Sequence, residues 1–275
     1  MRRAICLMGV GALLGGAGCT AASRSTFERQ VAQVLVSDEQ ESQLGLRVRQ
    51  ELSRQGITWV NEPEVKGYVQ QLALPILRAA NTHRAGVPWT VSVINDAQTV
   101  NAFATPGGYL YVYTGLLLAC DNEAELAGVL GHEAAHVTAR HSARQLVNTY
   151  GLSAIAKLAL GENPGLLQEL TASIVARGML LANSRADESE ADEWGMGYAY
   201  EAGFDPHGIA WFFEKLHKSQ GDAPEFLTWL STHPAPKSRV AAIQGFIDAR
   251  GLGEGRKDSA EFQRVKARLK ESVKK

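Results

Sequence analysis

The stretch Gly-Val-Leu-Gly-His-Glu-Ala-Ala-His, residues 128–136, decides the fold and the chemistry that we expect of this chain. Residues four apart on a helix lie one above the other, so His132 and His136 present two imidazoles on one face. Two imidazoles at this spacing can bind one Zn²⁺, and Glu133 beside them can accept a proton from metal-bound water. The motif therefore predicts a catalytic zinc site; the alternative is two histidines solvated on a helix surface.

The residues around this motif indicate a buried helix. Residues 125–131 are mostly apolar and small, and we expect one helix to run from Glu123 past His141. Gly128 and Gly131 each cost a helix about 1 kcal/mol relative to alanine. That cost is tolerated where another backbone or a metal site approaches closely.

A catalytic zinc site needs a third protein ligand and an open position for water. His141 follows His136 by five residues, so we expect it to point elsewhere, onto the surface. The acidic stretch at residues 184–192 lies on a predicted helix and offers carboxylates instead. Glu188 and Asp192 are four apart, so Glu188 can bind zinc while Asp192 accepts a hydrogen bond from a ligand histidine.

The same helix carries a face of small residues. Ala191 and Gly195 would let it approach the histidine helix closely. Spacing alone does not choose between Glu188 and Glu190 as the ligand. The acidic residues that we expect to be solvated are Asp187, Glu190 and Glu193.

The two motifs together resemble the HtpX-like and CAAX prenyl protease family of zinc metalloendopeptidases, the gluzincins of peptidase family M48. That family carries HExxH on one helix and S-R-x-x-E-x-x-A-D on a later one, and residues 184–192 match the second motif position by position. The resemblance implies that Glu188 is the third zinc ligand. Residues 101–108 resemble the family's N-A-F-A-x-P-G-G segment, and residues 232–239 match its T-H-P-x-x-x-x-R element.

The resemblance also implies roles for these two further motifs. His233 and Arg239 would stabilise the oxyanion beyond zinc, and His233 could instead, or in addition, cover the metal and hold the enzyme inactive. The alternative for His233 is a histidine that packs a loop. Extended substrate would pair with an edge strand, and the alternative is an ordinary sheet strand. The residues of that strand are Asn101, Ala102, Phe103 and Ala104.

We therefore expect a metalloendopeptidase of the exported, BepA- and LoiP-like type that acts on unfolded or misassembled envelope proteins. Glu133 would take the proton of the zinc-bound water and deliver it to the leaving amine. One alternative is a chaperone-like envelope lipoprotein that keeps zinc but seldom cleaves; another is a structural metal site in a scaffold. Glu133 argues against the first, because a purely structural site needs no general base, and a three-ligand site with an open position argues against the second.

Hydrophobic periodicity predicts an α+β, mostly helical domain with a small β-sheet beside the HExxH helix. The predicted strands span residues 89–94, 101–104 and 109–113. The predicted helices begin at a capping box at Ser37, at Pro63, near Leu116, at Glu123, at Arg185, at Asp205-Pro206 and after Gly255.

The N-terminus has the pattern of a signal peptide. A basic start at residues 1–3 precedes an apolar, glycine-rich run at residues 4–18, which is too short to span a bilayer as a stable helix. Cys19 then follows a small-residue stretch that resembles a lipobox, although Gly16 stands where leucine is usual. Cleavage by an ordinary signal peptidase is the alternative.

These features give the expected domain organisation and location. Thr20 after the cysteine favours sorting to the outer membrane, so we expect a periplasmic lipoprotein anchored there through Cys19. The expected boundaries are a signal peptide at 1–18, a linker or anchor at 19–36 and a single zinc metalloprotease domain at 37–275.

Composition excludes several other classes. The chain has 275 residues, 45% of them hydrophobic, and a net charge of -1, so we expect no nucleic-acid partner. Cys120 is the single cysteine of the mature domain, which excludes an internal disulfide and a cysteine-based zinc site. Since the apolar stretch at residues 151–181 is interrupted by charged residues, the only expected membrane contact is a lipid anchor.

Overall fold

The computed structural model of this chain describes residues 36–177, 183–218, 227–233 and 237–273. The predicted signal peptide and Cys19 lie outside these ranges. Within them the strands are β1 Thr90–Ile94, β2 Ala102–Thr105 and β3 Tyr109–Tyr113. The helices are α1 Asp38–Arg54, α2 Pro63–Ala80, α3 Thr114–Ala119, α4 Glu123–Thr138, α5 His141–Tyr150, α6 Leu152–Leu160, α7 Pro164–Arg177, α8 Arg185–Glu201, α9 Gly208–Lys218, α10 Leu227–Thr232, α11 Lys237–Arg250 and α12 Ala260–Val273.

The predicted α+β class, mostly helical with a small sheet, is confirmed. The sheet has the order β1-β3-β2, with β1 parallel and β2 antiparallel to the central β3. β2 packs against α4, so the sheet stands beside the HExxH helix as expected. All three strands lie within one residue of their predicted bounds at each end.

The sheet divides the interior into two hydrophobic cores. Successive side chains of a strand point to opposite faces, and β3 follows this alternation. Leu110 and Val112 belong to the larger core with α2, α4 and α9, while Tyr111 and Tyr113 belong to a smaller core with α1, α6 and α7. The larger core contains the helix that carries the HExxH motif.

Two capping boxes determine where the helices of the site region begin. Ser37 accepts a hydrogen bond from the Gln40 amide at the start of α1, as predicted. At the start of α8 the Ser184 hydroxyl accepts a hydrogen bond from the Asp187 amide, and the Asp187 carboxylate accepts one from the Ser184 amide. Such caps satisfy amides that a helix leaves unpaired in its first turn.

α4 ends earlier than the sequence predicted. It stops at Thr138, and Arg140 adopts a left-handed conformation with φ of 60° before α5 begins at His141. The Arg140 side chain is buried and donates hydrogen bonds to the Glu41 carboxylate and to the Val36 carbonyl. This ion pair holds the turn, which sends the chain back beside α4.

The small residues of α4 and α8 bring the two helices into direct backbone contact. A Cβ atom added at Gly131 would lie 2.3 Å from the Gly195 carbonyl oxygen, and one added at Gly195 would lie 2.4 Å from the His132 amide nitrogen. No side chain fits between backbones this close. The predicted approach of the two helices through Gly131 and Gly195 is therefore confirmed.

In the part of the chain that the structure describes, no helix combines the length and apolar character needed to cross a bilayer.

Candidate metal centre

Three separate segments supply the polar side chains of one buried cluster. α4 carries His132, Glu133 and His136 on its interior side. α8 contributes Glu188 from its first turn, where the capping box fixes the helix start. The segment after α10 contributes His233, whose amide bonds to the Trp229 carbonyl. All five of these residues are at most 4% exposed, although every one of them can carry charge.

Four of these side chains converge on one point. The ligand atoms of His132, His136, Glu188 and His233 all lie within 4.8 Å of one another. The two Nε2 atoms of His132 and His136 are 3.0 Å apart, and each lies 3.4 Å from an oxygen of Glu188. His233 Nδ1 lies 3.3 Å from His132 Nε2 and 3.1 Å from Glu188 Oε1.

This donor set fits a divalent cation. Three imidazole nitrogens and a carboxylate are the ligands that zinc prefers, and their burial would otherwise leave several lone pairs facing one another. Burial opposes ionisation of Glu188, but the facing His233, His132 and His136 rings hold its pKa well below the usual value. A negative carboxylate among imidazoles supplies the counter-charge that a bound cation needs.

Asp192 lies against the first histidine, and its predicted role in orienting that ring stays a prediction. Its Oδ1 lies 3.0 Å from His132 Nδ1, on the side of the ring opposite the cluster. Burial works against protonation of His132, but the Asp192 and Glu188 carboxylates outweigh it and raise the pKa to about 9. A proton held at Nδ1 directs the Nε2 lone pair of His132 toward the cluster.

Arg239 lies behind the carboxylates of α8. Its guanidinium donates two hydrogen bonds to Asp192, of 2.7 and 2.6 Å, and its Nη1 lies 2.9 Å from Glu188 Oε2. Burial would raise the pKa of Asp192, but Arg239 and His132 lower it. The predicted role of Arg239 at the oxyanion stays a prediction. Its observed contacts hold the Asp192 and Glu188 carboxylates in place.

Glu133 and His233 face each other across the site. His233 Nε2 lies 3.3 Å from Glu133 Oε1, while Nδ1 of the same ring faces Glu188. Trp229 stacks on His233 with ring centroids 4.5 Å apart. The His233 ring thus lies between the predicted general base and the predicted ligands, and its orientation is fixed by packing.

The prediction for His141 was wrong, because α4 ends at Thr138 and the turn at Arg140 brings His141 back to the cluster. His141 is fully buried, with its Nδ1 2.7 Å from His136 Nδ1. Burial lowers the pKa of His141 well below the ordinary value. The prediction from the five-residue spacing failed because it treated His136 and His141 as parts of one uninterrupted helix.

The prediction that Asp187 and Glu190 are solvated was also wrong, because both meet α5. Glu190 Oε2 lies 3.1 Å from His141 Nε2, and Asp187 Oδ1 accepts a 2.7 Å hydrogen bond from Arg144. Both side chains are 15% exposed. Glu193, which is 36% exposed, pairs with Arg250 at the surface and so agrees better with the expected solvated position. The geometry places Glu188, and not Glu190, among the converging atoms.

Sequence reasoning also missed Asn183. Its side-chain nitrogen lies 3.4 Å from His136 Nε2, and its oxygen accepts a 3.0 Å hydrogen bond from Gln145. The only signal was its position one residue before the capping box at Ser184.

The predicted substrate strand lies at the edge of the sheet. Ala102, Phe103 and Ala104 belong to β2, which pairs on one side with β3. Asn101 precedes the strand, is buried, and its carbonyl accepts a hydrogen bond from the Tyr113 amide. Phe103 stacks on Tyr111 with centroids 4.6 Å apart. Strand β2 thus has the edge position that the prediction required. Its pairing with substrate stays a prediction.

A helix bearing HExxH beside a small sheet, with a buried glutamate from a second helix, defines a metallopeptidase domain. The sequence profile of peptidase family M48 matches residues 62–247, about two thirds of the chain. This chain belongs to peptidase family M48, as the resemblance implied.

Curated relatives agree with this assignment. The chain is 38% identical over 159 residues to the mitochondrial metalloendopeptidase OMA1 of Schizosaccharomyces pombe, covering 58% of this chain and 47% of the relative. It is 31% identical over 194 residues to the beta-barrel assembly-enhancing protease of Escherichia coli K12, covering 66% and 39%. It is 32% identical over 161 residues to the metalloprotease LoiP of the same organism, covering 57% and 62%. The chain thus spans less than half the length of the first two of these relatives.

Proposed function

We propose that this protein is a zinc-dependent endopeptidase in which His132, His136 and Glu188 hold the metal and Glu133 is the general base. The observation that carries the proposal is the convergence of buried ligand atoms from α4, α8 and His233 within 4.8 Å. Zinc bound there would polarise the scissile carbonyl and lower the pKa of a bound water toward about 7.

Glu133 is placed to move the protons of the reaction. It follows His132 directly on α4, and its carboxylate lies in the same buried space as the ligand atoms. It would take a proton from the attacking water and return it to the amine of the leaving peptide. Burial keeps bulk water away from this exchange.

Residues behind the ligands would hold them in place. Asp192 directs the His132 lone pair into the site, and Arg239 bridges Asp192 and Glu188. Removing either would deprive a buried charge of one of its partners, which is destabilising. This network supports a site that is rigid before substrate arrives.

His233 supports a second, regulatory role. Its Nδ1 faces the ligand oxygens of Glu188 and its Nε2 faces Glu133, so its ring fills the space where substrate carbonyl and water would meet. In this position it would act as a fourth ligand that must move aside before cleavage. Once displaced, it could stabilise the oxyanion.

The substrates would be unfolded or misassembled proteins of the bacterial envelope. One relative is named for enhancing β-barrel assembly, and the edge strand β2 beside α4 suits extended, unfolded backbone. The signal-peptide pattern and Cys19 support a periplasmic lipoprotein anchored to the outer membrane.

Cleavage of unfolded casein by the purified mature protein tests the proposal. We expect wild type to cleave, a chelator to abolish cleavage, and Glu133→Gln to bind zinc normally while losing at least about 100-fold in rate. Glu188→Ala should lose zinc, whereas Glu193→Ala, a surface control on the same helix, should keep it. A wild type that binds zinc but never cleaves would contradict the proposal and favour the chaperone-like alternative.

A further inference from the structure

We infer that His141 and Glu190 form a relay that holds His136 in the tautomer able to bind a metal through Nε2. His141 and Glu190 are positioning residues in this inference, which rests on the proposed role of His136 as a ligand. The two histidines of α4 would then be oriented by different means.

The first step is the carboxylate of Glu190. Its Oε2 lies 3.1 Å from His141 Nε2, and Asp187 Oδ1 lies 3.5 Å from the same nitrogen. An ionised carboxylate only accepts hydrogen bonds, so the proton of His141 must be on Nε2. A neutral imidazole has one N–H, and the Nδ1 of His141 is therefore an acceptor.

The second step is the contact between the two rings. His141 Nδ1 lies 2.7 Å from His136 Nδ1, a distance that requires one of the two nitrogens to donate. Because His141 Nδ1 accepts, His136 Nδ1 must carry the proton. The remaining nitrogen of His136, Nε2, then has a free lone pair, and it is the atom that faces His132 and Glu188.

The geometry of the chain explains why a relay is needed here. Asp192 reaches His132 directly, because Glu188, Asp192 and the small residues lie on the face of α8 that contacts α4. His136 lies one turn further along α4, and His141 fills the space between it and the carboxylate of Glu190. The left-handed turn at Arg140 places His141 there.

The test compares substitutions that keep or remove the acceptor. Asparagine places its oxygen near the position of a histidine Nδ1, whereas leucine fills similar volume without any acceptor. We expect His141→Leu to weaken zinc binding about 10- to 100-fold, and His141→Asn to recover most of that loss. Zinc affinity is measured by competition with a chromogenic chelator, and unfolding of the zinc-free proteins is followed by circular dichroism.

A second pair of variants tests the carboxylate. Glu190→Met should weaken zinc binding about tenfold, while Glu193→Met, on the same helix but paired with Arg250 at the surface, should not change it. If His141→Leu fails to fold, this pair still decides. Nitrogen NMR of the zinc-loaded wild type should show His141 protonated at Nε2 and His136 protonated at Nδ1.

The outcomes separate this inference from the proposed function. Equal zinc affinity in wild type, His141→Leu and Glu190→Met would overturn the relay while leaving the endopeptidase intact. Equal losses in His141→Leu and His141→Asn would also overturn it, because packing alone would then explain the effect. A wild type without zinc affinity would instead refute the metal site itself.

Discussion

Substituting Gly195 by alanine should separate the two helices that build the site. The added Cβ would lie 2.4 Å from the His132 amide nitrogen and 2.6 Å from the Gly131 carbonyl carbon. Ordinary Cβ contacts begin near 3.4 Å, so α8 must move away from α4 by about 1 Å. Both obstructing atoms are backbone, so no side chain can rotate to make room.

The displacement reaches Glu188, the proposed metal ligand, because of helical periodicity. Glu188 precedes Gly195 by seven residues, which is almost two full turns, so both lie on the same face of α8. A shift of about 1 Å at Gly195 therefore draws the Glu188 carboxylate away from the two histidines. Misplacement of this size can cost about 100-fold in rate.

The expected change in stability is smaller than the change in activity. Overpacking of this kind costs about 1–3 kcal/mol, and alanine returns about 1 kcal/mol through its higher helix propensity. We expect Gly195→Ala to lose up to about 2 kcal/mol in urea unfolding, to hold less zinc after dialysis and to cleave casein about 100-fold more slowly.

Gly197 provides a matched control two residues away on α8. A Cβ added there would meet only one atom, Arg250 Nη1, at 3.6 Å. Gly197→Ala should therefore gain up to about 1 kcal/mol with unchanged activity. Similar activity and zinc content in the two variants would refute the argument that backbone contact between α4 and α8 positions Glu188.

Three further predictions concern the charges around the site. The pKa of His132 is raised to about 9, so zinc that bound at the proposed site would displace a proton; the apparent zinc affinity should rise about tenfold per pH unit from pH 7 to 9 in chelator competition, and a flat profile would contradict this. His233→Ala should raise the casein cleavage rate several-fold if the ring covers the metal, and a fall of tenfold or more would assign it to the oxyanion instead. Glu41→Gln should lower the free energy of unfolding by about 3 kcal/mol, because it leaves Arg140 buried beside a neutral partner; a loss below about 0.5 kcal/mol in urea unfolding would disprove this.

Much of the fold could be predicted from local signals. Ser37 marked a helix start because a side-chain cap is local chemistry. Strand β3 was visible because three tyrosines and a valine, all residues favoured in strands, stand among its five positions. The sequence also indicated close helix approach, because the cost of a glycine inside a helix is tolerated where another backbone comes near, as at Gly131 and Gly195.

Features that depend on partners far along the chain could not be predicted from the sequence. The end of α4 is set by Arg140, whose left-handed backbone is held by Glu41, almost a hundred residues earlier. Helices α6, α7, α10 and α11 were not predicted, because their apolar residues pack on elements distant in sequence. The burial of His141 followed from the same unseen turn.

The ion pairs made by Glu41 bear on where the protein can be truncated. The stretch matched by the family profile begins at residue 62, whereas Glu41 on α1 neutralises both Arg84 and Arg140, at 2.9 and 2.5 Å. A fragment cut at the profile boundary would strip two interior guanidinium groups of their shared anion. The residues that stabilise the interior around the site thus extend to the N-terminal side of the region that the family profile matches.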